Sequence, residues 1–223
     1  MYVLLFDVDG TLVNTGRAGG AALMSAFSAV FDVDDPVSVP FSGRTDRGIS
    51  GALFRHHGVE NTTENWHRLR EEYLRRLPTL LRERDGRVLP GISQFLGRIA
   101  ERDDITVGLL TGNSQAGARI KLEYYELAHH FSFGGYGDTH PSRDDVAGAS
   151  LEAAREYLQS DVSPESTWVI GDTPMDVQCA RAIGAHAVAV ATGGDPYDDL
   201  AQAGPDLLLE DFQNAAGFWR LLR

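Results

Sequence analysis

Apolar positions along this chain come in two rhythms. Unbroken runs occur at residues 2–8 (YVLLFDV), 106–110 (TVGLL), 167–170 (TWVI) and 185–191 (AHAVAVA). A short continuous run is the pattern of a strand covered on both faces of its sheet. Residues 205–209 (PDLLL) form a fifth candidate, placed at an edge by the proline. Between the runs, apolar residues recur at three- and four-residue steps, the helical rhythm. Strands alternating with helices predict an α/β fold, a Rossmann-like parallel sheet wound on both faces.

Residues 14–88 depart from that alternation. They carry no clear strand. Helices are expected at 21–31 and 49–57, and Trp66, Leu69, Tyr73, Leu77 and Leu80 trace a third amphipathic stripe. Pro78 is expected to kink that helix or split it in two. Charge changes over the same stretch: 14–88 has a net charge of +1, whereas the rest of the chain has −13. The expected organisation is therefore a core of 1–13 and 89–223 with a helical domain, 14–88, inserted into it. Gly16 and Pro90-Gly91 are the expected hinges.

Composition narrows the picture further. At 223 residues, 43% apolar and 23% charged, the chain is an ordinary globular protein with material for a sizeable core. No apolar run approaches the roughly 20 residues a membrane span needs, and the first residues lack the basic start and small-residue cleavage site of a leader. A cytoplasmic protein that engages no membrane is expected. The net charge of −12 argues against a nucleic-acid partner. Cys179 is the only cysteine, so neither a disulfide nor a cysteine metal cluster can form within the chain. The seven histidines show no zinc-binding spacing. No long apolar edge or heptad is readable, which leaves monomer and homodimer open.

Candidate chemistry concentrates where strands end. Asp7-Val8-Asp9-Gly10-Thr11-Leu12 sets two carboxylates just past five consecutive apolar residues, with Gly10 permitting a sharp exit. Ligands of open α/β sheets bind past the carboxyl ends of strands. Leu109-Leu110-Thr111-Gly112-Asn113 and Gly171-Asp172-Thr173-Pro174-Met175-Asp176 end two more runs. In the last, Thr173 is an N-cap candidate, Pro174 a first helical residue and Gly184 a terminator, with Cys179 buried between. Asp176 is placed to stabilise that helix start.

These motifs, in this order, resemble those of the haloacid dehalogenase superfamily, in its phosphoglycolate phosphatase-like branch. The segment between the first two has the size of that family's helical cap. The resemblance implies a phosphatase. Asp7 would be the nucleophile and Asp9 the general acid and base. Asp7, Asp172 and the Asp9 carbonyl would hold Mg²⁺. Gly10, Thr111, Gly112 and Asn113 would cradle the phosphoryl group, with Asp176 in support. Most relatives also place a lysine between the second and last motifs, and here the sequence departs. Lys121 is the chain's only lysine, in a helical run at 118–127, where a solvated position is expected. Arg143 lies nearer the required place and is preferred for the cationic role, with Lys121 the alternative. In the cap, Arg44 and Arg47 are candidates for contact with the substrate, expected to be a small phosphorylated metabolite. Asp9 argues against carbon–halogen hydrolysis. A cap without lysine argues against phosphonate hydrolysis through a Schiff base. A sugar-phosphate mutase of β-phosphoglucomutase type and a catalytically idle phosphate-binding regulator remain as alternatives.

Overall fold

The computed structural model describes residues 1–222. Six parallel strands form the main sheet: β1 (Tyr2–Phe6), β4 (Ile105–Leu110), β5 (Gly134–Gly135), β6 (Thr167–Gly171), β7 (His186–Val190) and β8 (Leu207–Leu209). Their order across the sheet is β5-β4-β1-β6-β7-β8. The unbroken apolar runs are explained by burial on both faces. Leu4 and Phe6 of β1 pack with Ile92, Phe95 and Phe218, whereas Val3 and Leu5 pack with Val146, Leu151 and Val177. Helices α4 (Ile92–Ala100), α5 (Gln115–Tyr124) and α9 (Ala216–Leu221) supply the first layer. Helices α6 (Arg143–Leu158), α7 (Pro174–Ala182) and α8 (Tyr197–Gln202) supply the second. Each large side chain so buried contributes roughly 1.5–3 kcal/mol.

The sheet order fixes where a ligand fits. From β1 the chain fills one side with β4 and β5, then crosses to β6 on the other side. Strand β1 is thus the topological switch, and the crevice past its carboxyl end is the place for a site. The expected edge strand is found as β8. The opposite edge, β5, is two glycines, too short and too lacking in side chains to leave an apolar signal.

The inserted segment leaves and re-enters through an antiparallel pair, β2 (Val13–Asn14) with β3 (Arg87–Val88). Between them lie α1 (Ala18–Phe31), α2 (Asp46–His56) and α3 (Thr63–Glu83), which surround a separate apolar cluster including Phe27, Leu53, Phe54, Trp66 and Leu77. Gly16 (φ 59°) and Gly91 (φ 82°) adopt left-handed conformations at the two crossings.

Helix α3 is not split in two at Pro78. It runs unbroken through Pro78 for 21 residues. Trp66, Leu69, Tyr73 and Leu77 before the proline, and Leu81 after it, are all buried in one cluster. That shared burial offsets the hydrogen bond the ring removes. It also moves the stripe to Leu81, with Leu80 only half-buried. The cost of the proline is still present. Pro78→Ala should therefore raise unfolding stability by about 1–3 kcal/mol in urea melts; an unchanged or lower stability would mean that the ring itself is packed into the cluster.

Candidate active site

Asp7 and Asp9 leave β1 at its carboxyl end. The backbone N–H of Asp7 still donates to the Ile170 carbonyl of β6 at 2.9 Å, so the strand ladder fixes its position. Gly10 turns with φ 84°, and a side chain there would strike the Asp172 carboxylate. The Gly10 carbonyl accepts from the Thr192 hydroxyl at 2.6 Å, past the end of β7. Thr11 donates its hydroxyl to Oδ1 of Asp172 at 2.9 Å. The turn after β1 and the end of β6 are thus locked together around one carboxylate.

Thr111, past β4, is fully buried. Its Oγ1 accepts from the Asn113 side chain at 2.8 Å and from the Asn113 backbone N–H at 3.3 Å. A further hydrogen bond from Thr111 reaches Asp7. At the start of α7, Thr173 and Asp176 form a reciprocal capping box behind Pro174. Asp176 also pairs with Nη2 of Arg143, whose Nη1 lies 3.4 Å from Oδ1 of Asp7. Arg143 is therefore a buried bridge from the α6 start to two acids on neighbouring elements. Cys179, behind it, is buried, and that burial pushes its thiol up to about 12.

Lys121 differs from its expected solvated position. It is only 3% exposed, and its Nζ donates to Oδ2 of Asp9 at 2.5 Å and to Oδ1 of Asn113 at 2.6 Å. The phase of α5 explains this. Gly117, Ala118, Lys121 and Leu122 share the buried face, and helical side chains lean towards the helix N-terminus, here towards Asn113. Gly19 on α1 leaves room for the ammonium, since a side chain there would approach Nζ to 3.0 Å. Both cationic candidates thus reach the same centre.

A cavity of about 860 Å³ opens between these residues and the helical insert. Asp7, Asp9, Gly10, Gly112, Asn113, Lys121, Arg143 and Asp172 line its floor, and Arg44 lies on its wall. Arg47 points elsewhere. It donates to Asn61 at 2.7 Å and lies 5.7 Å from the Trp66 ring centroid. The insert is closed down on the core at this loop. Thr45 caps α2 as expected, and the next residue, Asp46, accepts from the Ser114 backbone N–H at 2.7 Å.

Charge in the crevice is unevenly balanced. Oxygens of Asp7, Asp172 and Asp176 all lie within 4.8 Å of one another. Burial pushes the Asp7 carboxyl up to about 6 against the opposing pull of Arg143. Burial, and then the charges of Asp176 and Asp7, push Asp172 well above the ordinary range. Burial also acts on Asp9, but Lys121, Asn113 and Thr15 outweigh it and hold that carboxyl below its usual value. Asp176 has Arg143 and Thr173 as partners, whereas Asp7 and Asp172 face each other with less compensation. Two buried carboxylates in that state fit a hard divalent cation with oxygen ligands.

A family model described as haloacid dehalogenase-like hydrolase matches residues 4–190. The chain belongs to this family. Its relatives include a phosphoglycolate phosphatase of Synechococcus elongatus, 29% identical over 94% of this chain and 93% of the relative. Another is a phosphoglycolate phosphatase of Chromobacterium violaceum, 28% identical over 91% and 89% respectively. Among solved structures, CbbY of Rhodobacter sphaeroides, in complex with phosphate, superposes with a TM-score of 0.75 at 21% identity over 97% of each chain. The haloacid dehalogenase-like fold, cap included, is thus the fold of this chain. No helix among the described residues is long and apolar enough to cross a membrane.

Several contributors to the site were not singled out from sequence: Thr11, Thr15, Asp46 and Thr192. Thr11 was within reach, being the residue after Gly10. The others owe their places to contacts across the fold. The charge imbalance yields a test. Millimolar Mg²⁺ should raise the melting temperature. Asp172→Asn, which keeps an oxygen for Thr11, should melt higher than the parent in EDTA yet lose the Mg²⁺ increment. An Asp172→Asn protein that Mg²⁺ stabilises as much as the parent would remove Asp172 from the cation site.

Proposed function

We propose that the protein is a Mg²⁺-dependent phosphatase that hydrolyses a small phosphorylated metabolite of the phosphoglycolate kind through an aspartyl phosphate on Asp7. The observation that carries this reading is the convergence of Asp7, Asp9, Thr111, Asp172 and Arg143 at the carboxyl ends of three adjacent strands and one helix start. The phosphoglycolate phosphatases among its relatives support the substrate class.

In the first step an Asp7 oxygen attacks phosphorus in line, and the bond from phosphorus to the leaving oxygen breaks. Asp9, protonated once the donors that hold its carboxyl low give way, gives that oxygen a proton. In the second step water attacks the phosphorus of the aspartyl phosphate and surrenders its proton to Asp9. The Asp7–phosphorus bond breaks and inorganic phosphate leaves. Arg143 supplies permanent charge beside the nucleophile and a fork of donors suited to phosphoryl oxygens. Thr111 and the backbone at Gly112 hold the phosphoryl group in register with Asp7. Asp7, Asp172 and the Asp9 carbonyl would hold Mg²⁺, which when bound neutralises charge on the phosphoryl oxygens. Closure of the cap keeps bulk water away from the site during transfer.

Phosphate release from phosphoglycolate should require Mg²⁺ and disappear in Asp7→Asn. Asp9→Asn should lower kcat/KM, which reads the first step alone, on this alkyl ester by about 10²–10⁴-fold. It should cost far less on p-nitrophenyl phosphate, whose leaving group needs no proton. Equal losses on the two esters would take the acid role away from Asp9.

A further inference from the structure

The assigned chemistry leaves one buried cation without a task. Arg143 serves Asp7 and Asp176. Lys121 touches neither, and its stem is fixed in the core between α5 and the cap. It stands on the Asp9 side of the cavity, where the leaving group of any ester attacked by Asp7 must lie. Its ammonium has three N–H donors. Two are used, on Asp9 and Asn113. No partner for the third is found among the described residues, and Lys121 lines the cavity.

Asp9 is fully engaged in this arrangement. Oδ1 accepts from the Thr15 hydroxyl at 3.3 Å, and Oδ2 accepts from both Lys121 and Asn113. To face a leaving oxygen, Oδ2 has to give up one of these donors. An ammonium drawn off its carboxylate in a buried setting is costly unless another anion takes its place. The other acid within electrostatic reach is Asp46, and its carboxylate is already committed to the Ser114 N–H. Tyr73, which also lines the cavity, is held neutral by burial. The replacement anion therefore has to come with the substrate.

We propose that Lys121 is the specificity-determining residue of this site, and that it selects phosphate monoesters whose leaving alcohol carries a second anionic group, a carboxylate or a second phosphate. The proposal rests on the phosphatase reading of the site. It moves recognition of the leaving group from the exposed cap arginines to a cation of the core. Arg44 and Arg17 also border the cavity, but both are exposed and so are less firmly placed than the buried lysine.

The test compares three esters of similar size: phosphoglycolate, propane-1,3-diol bisphosphate and the neutral-leaving-group ester ethyl phosphate. Wild-type protein should favour one or both anionic esters in kcat/KM by about 100-fold or more. Which of the two is favoured distinguishes carboxylate from phosphate as the preferred anion. Lys121→Met, which keeps the apolar stem, should reduce that preference to within a few-fold, and Lys121→Arg should restore part of it. The dissociation constants of the same esters on Asp7→Asn protein, by calorimetry, should show the same loss when Lys121→Met is added. If Lys121→Met lowers all three esters in equal proportion, Lys121 serves Asp9 or the transferred phosphoryl group and the proposal falls. It falls equally if the preference survives the substitution, or if wild-type protein shows none. Should Lys121→Met melt early, Lys121→Gln, which retains a donor for Asn113, gives the same comparison. Phosphate release from p-nitrophenyl phosphate separates the two levels of the argument. Release by wild-type protein upholds the phosphatase reading whatever Lys121 does, and no release from any ester would overturn both.

Discussion

Carboxylates packed at the carboxyl ends of β1 and β6 repel one another, and the arrangement around them compensates that repulsion. Removing such groups from water disfavours their charged forms, and placing them together disfavours them again. The fold answers with two cations and a set of hydroxyls. Arg143 takes Asp176 and leans on Asp7, Lys121 takes Asp9, and Thr11 donates to Asp172. The Asp7–Asp172 pair is what these partners leave uncompensated. A site left short of positive charge at one point fits a divalent cation with oxygen ligands.

The two cations are not interchangeable. Arg143 sits at the first turn of α6 and spans two acids with a planar fork, a geometry an ammonium cannot reproduce. Lys121 comes from the second turn of α5 and meets Asp9 with a single point of charge. The first is placed to steady the nucleophile and the capping box behind it. The second is placed to govern Asp9, the carboxylate that the proposed reaction turns towards the leaving group. Splitting the positive charge in this way gives Asp7 and Asp9 separate cationic partners, so the charge on each carboxylate is set by a different residue.

The sequence was legible where local physics dominates. Apolar runs marked β1, β4, β6 and β7, because burial on both faces leaves few polar positions in the run. The start of α7 was legible from Thr173, Pro174 and Asp176, whose capping geometry is purely local. Legibility failed where distant parts of the chain decide. Pro78 reads as a break until its neighbours are seen to share one apolar cluster with Leu81. Lys121 reads as a solvated residue until Gly19, far earlier in the chain, is seen to vacate the space it fills. Its phase with Ala118 and Leu122 was visible, yet a charged residue on that phase has no meaning without its partner Asp9.

The cap is held to the core by contacts suited to release. Backbone N–H groups of Asp46 and Arg47 donate to the Gly112 and Gly137 carbonyls, Thr45 donates to the Pro141 carbonyl, and Arg70 pairs with Asp138 at 3.2 Å across the boundary. Such polar contacts exchange for water at little net cost, about 0.5–1.5 kcal/mol each. The apolar cluster of the cap is largely its own, reaching the core chiefly through Ile120 and Tyr125 of the α5 region. The internal packing of the cap therefore owes little to the core, and α5 is the core element that shares its apolar cluster. Asp46 reaches the N–H of Ser114 at the start of that helix, and Lys121 projects from its second turn. A carboxylate of the cap thus meets one end of the same helix that carries the cation paired with Asp9, which ties the position of the cap to the charge that Asp9 experiences.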